Sequence, residues 1–242
     1  MRLAEAVNFG DEEVMKVHAL LNLYNDRTFL ASMLESIRER VDTIIVADGA
    51  YALYYTTYLE QHPDAQPWST DGSLEILEAF PRLPPIKMIG CPDDKPWFNQ
   101  AVKRTALLDA VPNGDWLIII DADEMLLGDV DEGMYEIYKS GCVVAGTPYY
   151  NPGLDAAAIR MRWHPWIYRK QEGMHYHMTH WYLRDRHGRI MEQTYPVHWT
   201  DKFVWVHFKA FKQLKRTVSH QSYMKLLSPQ GWLEPTKMEI QM

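Results

Sequence analysis

The sequence predicts an α/β fold, with a mostly parallel central sheet and an antiparallel, aromatic-rich C-terminal part. Three observations carry this expectation. Apolar strand-like runs alternate with segments of helical period over the first ~125 residues, which implies right-handed βαβ units. After Gly141 the segments become short, aromatic and punctuated by turn residues, the pattern of antiparallel strands. Between these regions Leu117–Ile120, a continuous apolar run, leads directly into Asp121-Ala122-Asp123-Glu124. Such a run reads as a strand buried on both faces. In open α/β sheets the carboxyl ends of the strands are where ligands sit.

The elements follow in order. Lys16–Asn22 reads as a first strand, and Asn25 or Asp26 is placed to cap a helix over Arg27–Arg40, where Phe29, Leu30, Met33, Leu34 and Ile37 recur at helical spacing. Asp42–Ala47 is a second buried strand, ending at Asp48-Gly49. Ser73–Phe80 reads as a short helix, Ile86–Gly90 as a third strand and Pro96–Val111 as a helix with Pro96 in its first turn. Leu117–Ile120 is the fourth strand. Beyond it, strands are expected around Val143–Thr147, Ile159–Trp163, Trp166–Lys170, His175–Leu183 and Ile190–Phe208, with a turn at His187-Gly188 and a helix over Phe211–Leu227. No Pro/Gly/Ser-rich linker intervenes, so one domain is expected: a nucleotide-sugar-binding subregion over about 16–140, an acceptor-binding subregion over about 141–227 and a tail over 228–242.

Composition narrows the partners. With 242 residues, 47% hydrophobic, the chain can bury a large core. A formal net charge of −7 argues against nucleic acid as the main partner, since phosphate contacts need clustered Lys/Arg. The two cysteines, Cys91 and Cys142, suggest neither a disulfide framework nor a zinc site. No apolar run approaches the ~20 residues of a membrane span, and the first residues lack a signal-like apolar stretch. A cytoplasmic protein is expected.

Three carboxylates at a strand end repel one another, and a divalent cation held against a phosphorylated substrate gives a reason to keep them there. The arrangement of Asp48 and Asp121/Asp123 along one sheet edge resembles the GT-A fold of glycosyltransferases, especially the family 2-like enzymes, over roughly residues 16–227. Tyr24-Asn25-Asp26 resembles that family's Tyr-Asn-Glu-like turn. Asp48-Gly49 and Ser69-Thr70-Asp71-Gly72-Ser73 look like two halves of its Asp-Gly-Ser-Thr-Asp-Gly-Thr-like loop, split by an insertion over Ala50–Trp68 for which a lid over the donor is a plausible role. Lys103-Arg104-Thr105 resembles a Lys/Arg-Arg-Asn-like element, with Thr where Asn is usual. Arg169-Lys170, Gly173, Tyr176 and His180-Trp181-Tyr182-Leu183-Arg184-Asp185 resemble a later segment, and Val206-His207-Phe208-Lys209 a late metal-binding histidine.

The resemblance implies a metal-dependent glycosyltransferase moving a sugar from a nucleoside-diphosphate sugar to an acceptor hydroxyl. Mn²⁺ or Mg²⁺ would stabilise charge on the leaving diphosphate. The implied metal ligands are Asp121, Asp123 and His207, with His198 and His180 competing for the last place. Asp48, Asp71, Arg104 and Asp121 would meet the donor, and Trp163, Trp166, His180 and Trp181 the acceptor. An inverting reaction needs a carboxylate base, for which Glu124, Asp185 and Glu192 are candidates; a retaining one does not.

Each motif has a plainer reading beside this one. Asp48-Gly49 alone is an ordinary strand-exit turn, Arg104 a solvated helix face, His207 a hydrogen-bonded core histidine and most tryptophans core. Other functions compete, among them a DNA-modifying transferase, which the acidic balance argues against, and a sugar-nucleotide nucleotidyltransferase, which would want a Gly-rich phosphate-binding loop where Asn22–Arg27 has no glycine. A haloacid-dehalogenase-like phosphatase also places Asp-x-Asp at a strand end, but on the first strand. A non-catalytic carbohydrate-binding protein on a transferase scaffold would use the aromatic half without metal.

Overall fold

The computed structural model describes residues 15–60, 62–81, 84–90, 94–152, 162–177 and 182–208. The helix expected over Phe211–Leu227, the tail, and both His180 and Trp181 lie outside the described residues.

Four strands, β1 (Val17–Leu23), β2 (Thr43–Asp48), β3 (Ile86–Ile89) and β4 (Trp116–Asp121), form the expected parallel region in the order β3-β2-β1-β4. β1, β2 and β4 are buried along almost their whole length, while β3, at the edge, is only partly covered. That difference is the one expected between central strands covered on both faces and a sheet edge. The sheet continues past β4 through β7 (Arg162–Arg169), β6 (Val144–Tyr150), β11 (Phe203–His207) and β5 (Glu124–Gly128), and a ninth strand, β10 (Val197–Trp199), pairs with β6. β7 runs antiparallel to both β4 and β6, and β11 antiparallel to β5. A separate two-stranded ribbon joins β8 (His175–Tyr176) to β9 (Leu183–Arg184).

Helices cover both faces. α1 (Arg27–Ile37), α3 (Ser73–Ala79) and α5 (Val130–Ser140) accompany a core that includes Leu21, Leu30, Met33, Ile118, Ile120 and Trp205. α4 (Gln100–Asp109), the ribbon and the short α6 (Met191–Thr194) accompany a second core that includes Leu20, Leu107, Leu117, Tyr168 and Met191. Alternate residues of β4 divide between these clusters, as the two-residue period of a strand requires.

Several details differ from the sequence expectation, each for a local reason. Neither Asn25 nor Asp26 caps α1; the Arg27 N–H is taken by Asp71 Oδ2 at 3.0 Å, a carboxylate 44 positions away. α4 begins four residues later than Pro96, because Asn99 supplies the cap by accepting from Val102 N at 2.8 Å. α5 was not expected; Asp129 caps it, and Gly141, at φ +70°, ends it in the left-handed conformation that favours glycine. The Ile190–Phe208 segment is not one strand but α6, β10 and β11.

The Ala50–Trp68 insertion contains α2 (Ala52–Leu59) and a small core of its own, with buried Tyr54 and Tyr58 packed edge-on against Tyr24. The Tyr24 and Tyr55 hydroxyls donate to the carbonyls of Gln66 and Ala65, both at 2.8 Å. A lid must release from what it covers; this helix is anchored by buried rings. Among the described residues no helix is long and apolar enough to cross a membrane.

Candidate active site

The strands β1, β2 and β4 end on one rim, in Leu23, Asp48 and Asp121, and the chemistry-bearing residues gather there. The two halves of the split loop meet in space. Asp48 accepts from both Ser69 N (3.0 Å) and Ser69 Oγ (2.6 Å), and Ser69 Oγ in turn accepts from Asn25 N (2.8 Å). Asn25 Oδ1 takes Thr70 N at 2.8 Å, and Asn25 itself sits at φ +45°, a conformation asparagine tolerates better than most side chains. A chain break in the motif is thus repaired by side-chain-to-backbone bonds, and the insertion leaves and returns at nearly one point.

α4 lies behind the rim and fastens it. Lys103, fully buried, donates to the carbonyls of Leu23 (2.7 Å) and Gly49. Arg104 Nη2 donates to Asp121 Oδ1 at 2.8 Å. Burial works against the Arg104 charge, but Asp121 and other neighbours outweigh it and hold its pKa above the ordinary value. Thr105, where the resembled family has Asn, accepts from Tyr176 N at 3.1 Å and so anchors β8. The Tyr176 hydroxyl, its pKa pushed up chiefly by burial, is hydrogen-bonded to Arg104.

The acidic turn crosses from β4 to β5. Glu124, the first residue of β5, is paired in register with His207 of β11, and Phe208 N donates to Asp123 O at 2.8 Å. This register brings His207 Nε2 to 2.9 Å from Asp123 Oδ2. The other ring nitrogen, Nδ1, is hydrogen-bonded to the Tyr149 hydroxyl. Glu124 Oε2 accepts from Asp121 N (2.8 Å) and Trp205 Nε1 (2.9 Å). Burial, then the like charges of Asp121 and Asp123, raise the Glu124 pKa well above the ordinary carboxylate value. The Tyr149 pKa is raised for the same reasons, burial first.

The structure therefore brings Asp123 and His207 together but gives Asp121 to Arg104, and among the described residues no group of three His, Cys, Asp or Glu is gathered for a metal. A divalent cation still fits the two residues that do meet. Cis ligands at metal–ligand distances of ~2.1 Å lie about 3 Å apart, close to the 2.9 Å between Asp123 and His207. The carboxylate suits Mn²⁺ or Mg²⁺, the imidazole suits a transition-metal ion such as Mn²⁺ better than Mg²⁺, and a partner on the second ring nitrogen is the usual support of a ligating histidine.

Two other expected site residues have structural employment. Asp71 Oδ1 accepts from Ser73 N (3.1 Å) and Ser73 Oγ (2.5 Å), while Oδ2 holds the start of α1. Asp185 accepts from His187 N, Arg189 N, Arg189 Nε and Tyr195 Oη at 2.8–3.2 Å. Burial pushes the Asp185 pKa up, but these hydrogen bonds outweigh it and hold the group well below the usual range. With its acceptor positions filled by donors, Asp185 is poorly suited to take a proton from a substrate.

Of the expected aromatic contacts, Trp166 packs against Tyr149 and Trp205, whereas Trp163 is 43% exposed and meets Trp199 edge-on at 5.6 Å. Trp199 lies where a Cβ on Gly146 would come within 2.3 Å of its ring, so glycine is required there by close approach. Tyr149 and Trp205 were missed as supports of the site, and Lys103 was noted only as part of the Lys103-Arg104-Thr105 element. The alternation in Phe203-Val204-Trp205-Val206-His207 is the one signal that could have placed Trp205 on the His207 side.

No protein-family model and no curated protein matches the chain. Among solved structures it is similar to S. aureus TarS 1–349, with a TM-score of 0.45 and 14% identity over 57% of this chain. The chain spans only 37% of that TarS chain. It is also similar to glucosyl-3-phosphoglycerate synthase from Mycobacterium tuberculosis, in complex with Mn²⁺, UDP-glucose and phosphoglyceric acid (TM-score 0.49, 14% identity, 92% of this chain and 82% of that one). A third similar structure is 4-diphosphocytidyl-2C-methyl-D-erythritol synthase from Anaerococcus prevotii (TM-score 0.42, 10% identity, 88% and 96%). The sheet order is that of an α/β fold with a parallel β3-β2-β1-β4 region continued by antiparallel strands. At these scores and identities nothing is carried over from the similar structures, and residue roles are read from this chain alone.

Proposed function

We propose that the chain is a glycosyltransferase that uses a divalent cation and transfers a sugar from a nucleoside-diphosphate sugar to an acceptor hydroxyl. The observation that carries this reading is the Asp123–His207 contact of 2.9 Å on the rim where β4 ends. Asp123 and His207 would hold Mn²⁺ or Mg²⁺, which when bound supplies Lewis-acid stabilisation of the diphosphate leaving group. Arg104 keeps Asp121 oriented on the rim, where that carboxylate is placed to accept from a donor hydroxyl. Asp48 and Asp71 serve the donor indirectly, by shaping the loop that carries Asn25, Ser69 and Thr70. Trp163 offers an exposed indole to the acceptor.

The phosphatase alternative asks Asp121 to attack phosphorus. Its carboxylate is instead bound to a buried arginine, and it follows three earlier strands in the chain.

A thermal-shift panel of UDP, GDP, CMP and dTDP, each with and without Mn²⁺, tests the proposal. A selective rise in Tm that requires metal is expected, because a ligand that binds only the folded state raises its stability by mass action. No shift with any nucleotide, with or without metal, would remove the donor site from this rim.

A further inference from the structure

His207 is held at both ring nitrogens, and the two contacts fix where its hydrogen sits. Nε2 lies 2.9 Å from Asp123 Oδ2. A carboxylate only accepts, so in this contact Nε2 carries the hydrogen. Nδ1 of a neutral ring is then an acceptor, and the Tyr149 hydroxyl donates to it. To hold a cation together with Asp123, His207 needs the reverse: a lone pair on Nε2 and the hydrogen on Nδ1. Whatever faces Nδ1 must therefore serve both tautomers.

Tyr149 is suited to that double duty. A phenol hydroxyl donates or accepts, whereas a backbone carbonyl or a carboxylate, the usual partners of a ligating histidine, only accepts and admits one tautomer. Burial and the acidic neighbours raise the Tyr149 pKa, so the phenol keeps its hydrogen. When it accepts, that hydrogen has a second partner in the Asn151 side chain, which is hydrogen-bonded to the phenol. The position of the hydroxyl is set by packing and register. Its buried ring meets His164 edge-on at 4.4 Å and Trp166 at 5.3 Å. Tyr149 of β6 pairs with Trp205 of β11, and His207 lies two residues further along the same face of β11.

We propose that Tyr149 is a positioning residue that sets the tautomer of His207, a role that rests on the transferase reading above. It donates to Nδ1 while Nε2 bonds to Asp123, and accepts from Nδ1 when Nε2 turns its lone pair to a divalent cation. The ring gives up one proton at Nε2 and gains one at Nδ1, both exchanged with solvent, so its charge is unchanged. Tyr149 acts through His207 and touches neither cation nor substrate.

Mn²⁺ binding to the full chain tests this without turnover. The EPR signal of free Mn²⁺ is followed as wild type or Tyr149→Phe is added, alone and with UDP, GDP, CMP and dTDP in turn. Phenylalanine keeps the ring packing but offers Nδ1–H no acceptor, so the Mn²⁺ dissociation constant should rise about 10–100-fold. A merely structural Tyr149 would instead lower Tm and leave the Mn²⁺ affinity of the folded chain unchanged. Nitrogen NMR of the wild-type ring without added metal, at about pH 8 and with His207→Gln to identify its signals, should place the hydrogen on Nε2. Equal Mn²⁺ affinity in the two proteins, or a wild-type ring with its hydrogen on Nδ1 before metal is added, overturns the role of Tyr149 and leaves the transferase reading standing. If wild type holds no Mn²⁺ alone or with any of the four nucleotides, the metal-dependent transferase reading itself has failed, and Tyr149 loses its role with it.

Discussion

Asp185 on one side, and Asp123 and Glu124 on the other, are buried carboxylates held in opposite ways. At the turn after β9, Asp185 meets two backbone N–H groups, a guanidinium and a hydroxyl, and its negative charge is welcome. Where β4 crosses to β5, Asp121, Asp123 and Glu124 press on one another, and Glu124 is driven toward its protonated form by burial and by those neighbours. Acidity gathered around donors builds a turn. Acidity gathered around more acidity stores repulsion, which a cation can relieve. The contrast separates a carboxylate satisfied by its own turn from carboxylates left pressing on one another.

The sharpest way to test that contrast is to remove one charge from each group. Asp123→Asn should abolish transfer, a loss of at least about 10³-fold, while leaving Tm within a few degrees of wild type, because the packing volume is kept. Unchanged turnover would move Asp123 to the Asp185 side of the contrast. Arg104→Lys comes next: a lysine cannot reproduce the guanidinium contacts to Asp121 and Tyr176, and kcat/KM should fall about tenfold. Steady-state kinetics on the donor that binds will read it, and a variant equal to wild type would free Asp121 from its dependence on α4.

Asp185→Asn should act on stability instead, lowering Tm by about 5 °C because its amide faces donors where the carboxylate accepted. Its pH dependence has a definite sign. The folded-state pKa lies below the ordinary value of 3.8, so the carboxylate contributes stability above that pH and loses it as pH falls toward the folded value. A plot of Tm against pH should therefore drop less steeply below about pH 4 in the variant; parallel curves would refute the assignment. The smallest effect belongs to Asp71→Ala, which removes the borrowed cap of α1 for about 1 kcal/mol in urea unfolding. Glu192 runs opposite to Asp185. With a folded pKa of about 7 against an ordinary 4.5, it makes the fold less stable as pH rises between those values.

The parallel region was legible because its signals are local: unbroken apolar runs for β1, β2 and β4, and helical spacing for α1. The acidic turn was legible for the same reason. What escaped is what distant chain segments decide between them. The cap of α1 comes from Asp71, the partner of Arg104 is chosen by which way α4 faces, and Asp185 is filled by a turn whose closure no periodicity announces. Asp71 and Asp185 looked like ligands because an aspartate in a loop offers the same letters whether it meets a substrate or a backbone amide. α5 was missed because its helical stripe is interrupted by Gly133, which faces the ring of Phe203 so closely that a Cβ there would come within 2.5 Å.

Lys103 and Arg104 are consecutive on α4, yet one binds the carbonyls of Leu23 and Gly49 and the other the carboxylate of Asp121. Neighbours on a helix diverge by about 100°, so the pair works as a two-toothed key whose teeth engage different strand ends. The rim is thereby sensitive to helical phase. Inserting one residue early in α4 would leave helix and sheet each well formed while rotating both teeth out of their slots, and the ends of β1, β2 and β4 would come unfastened together.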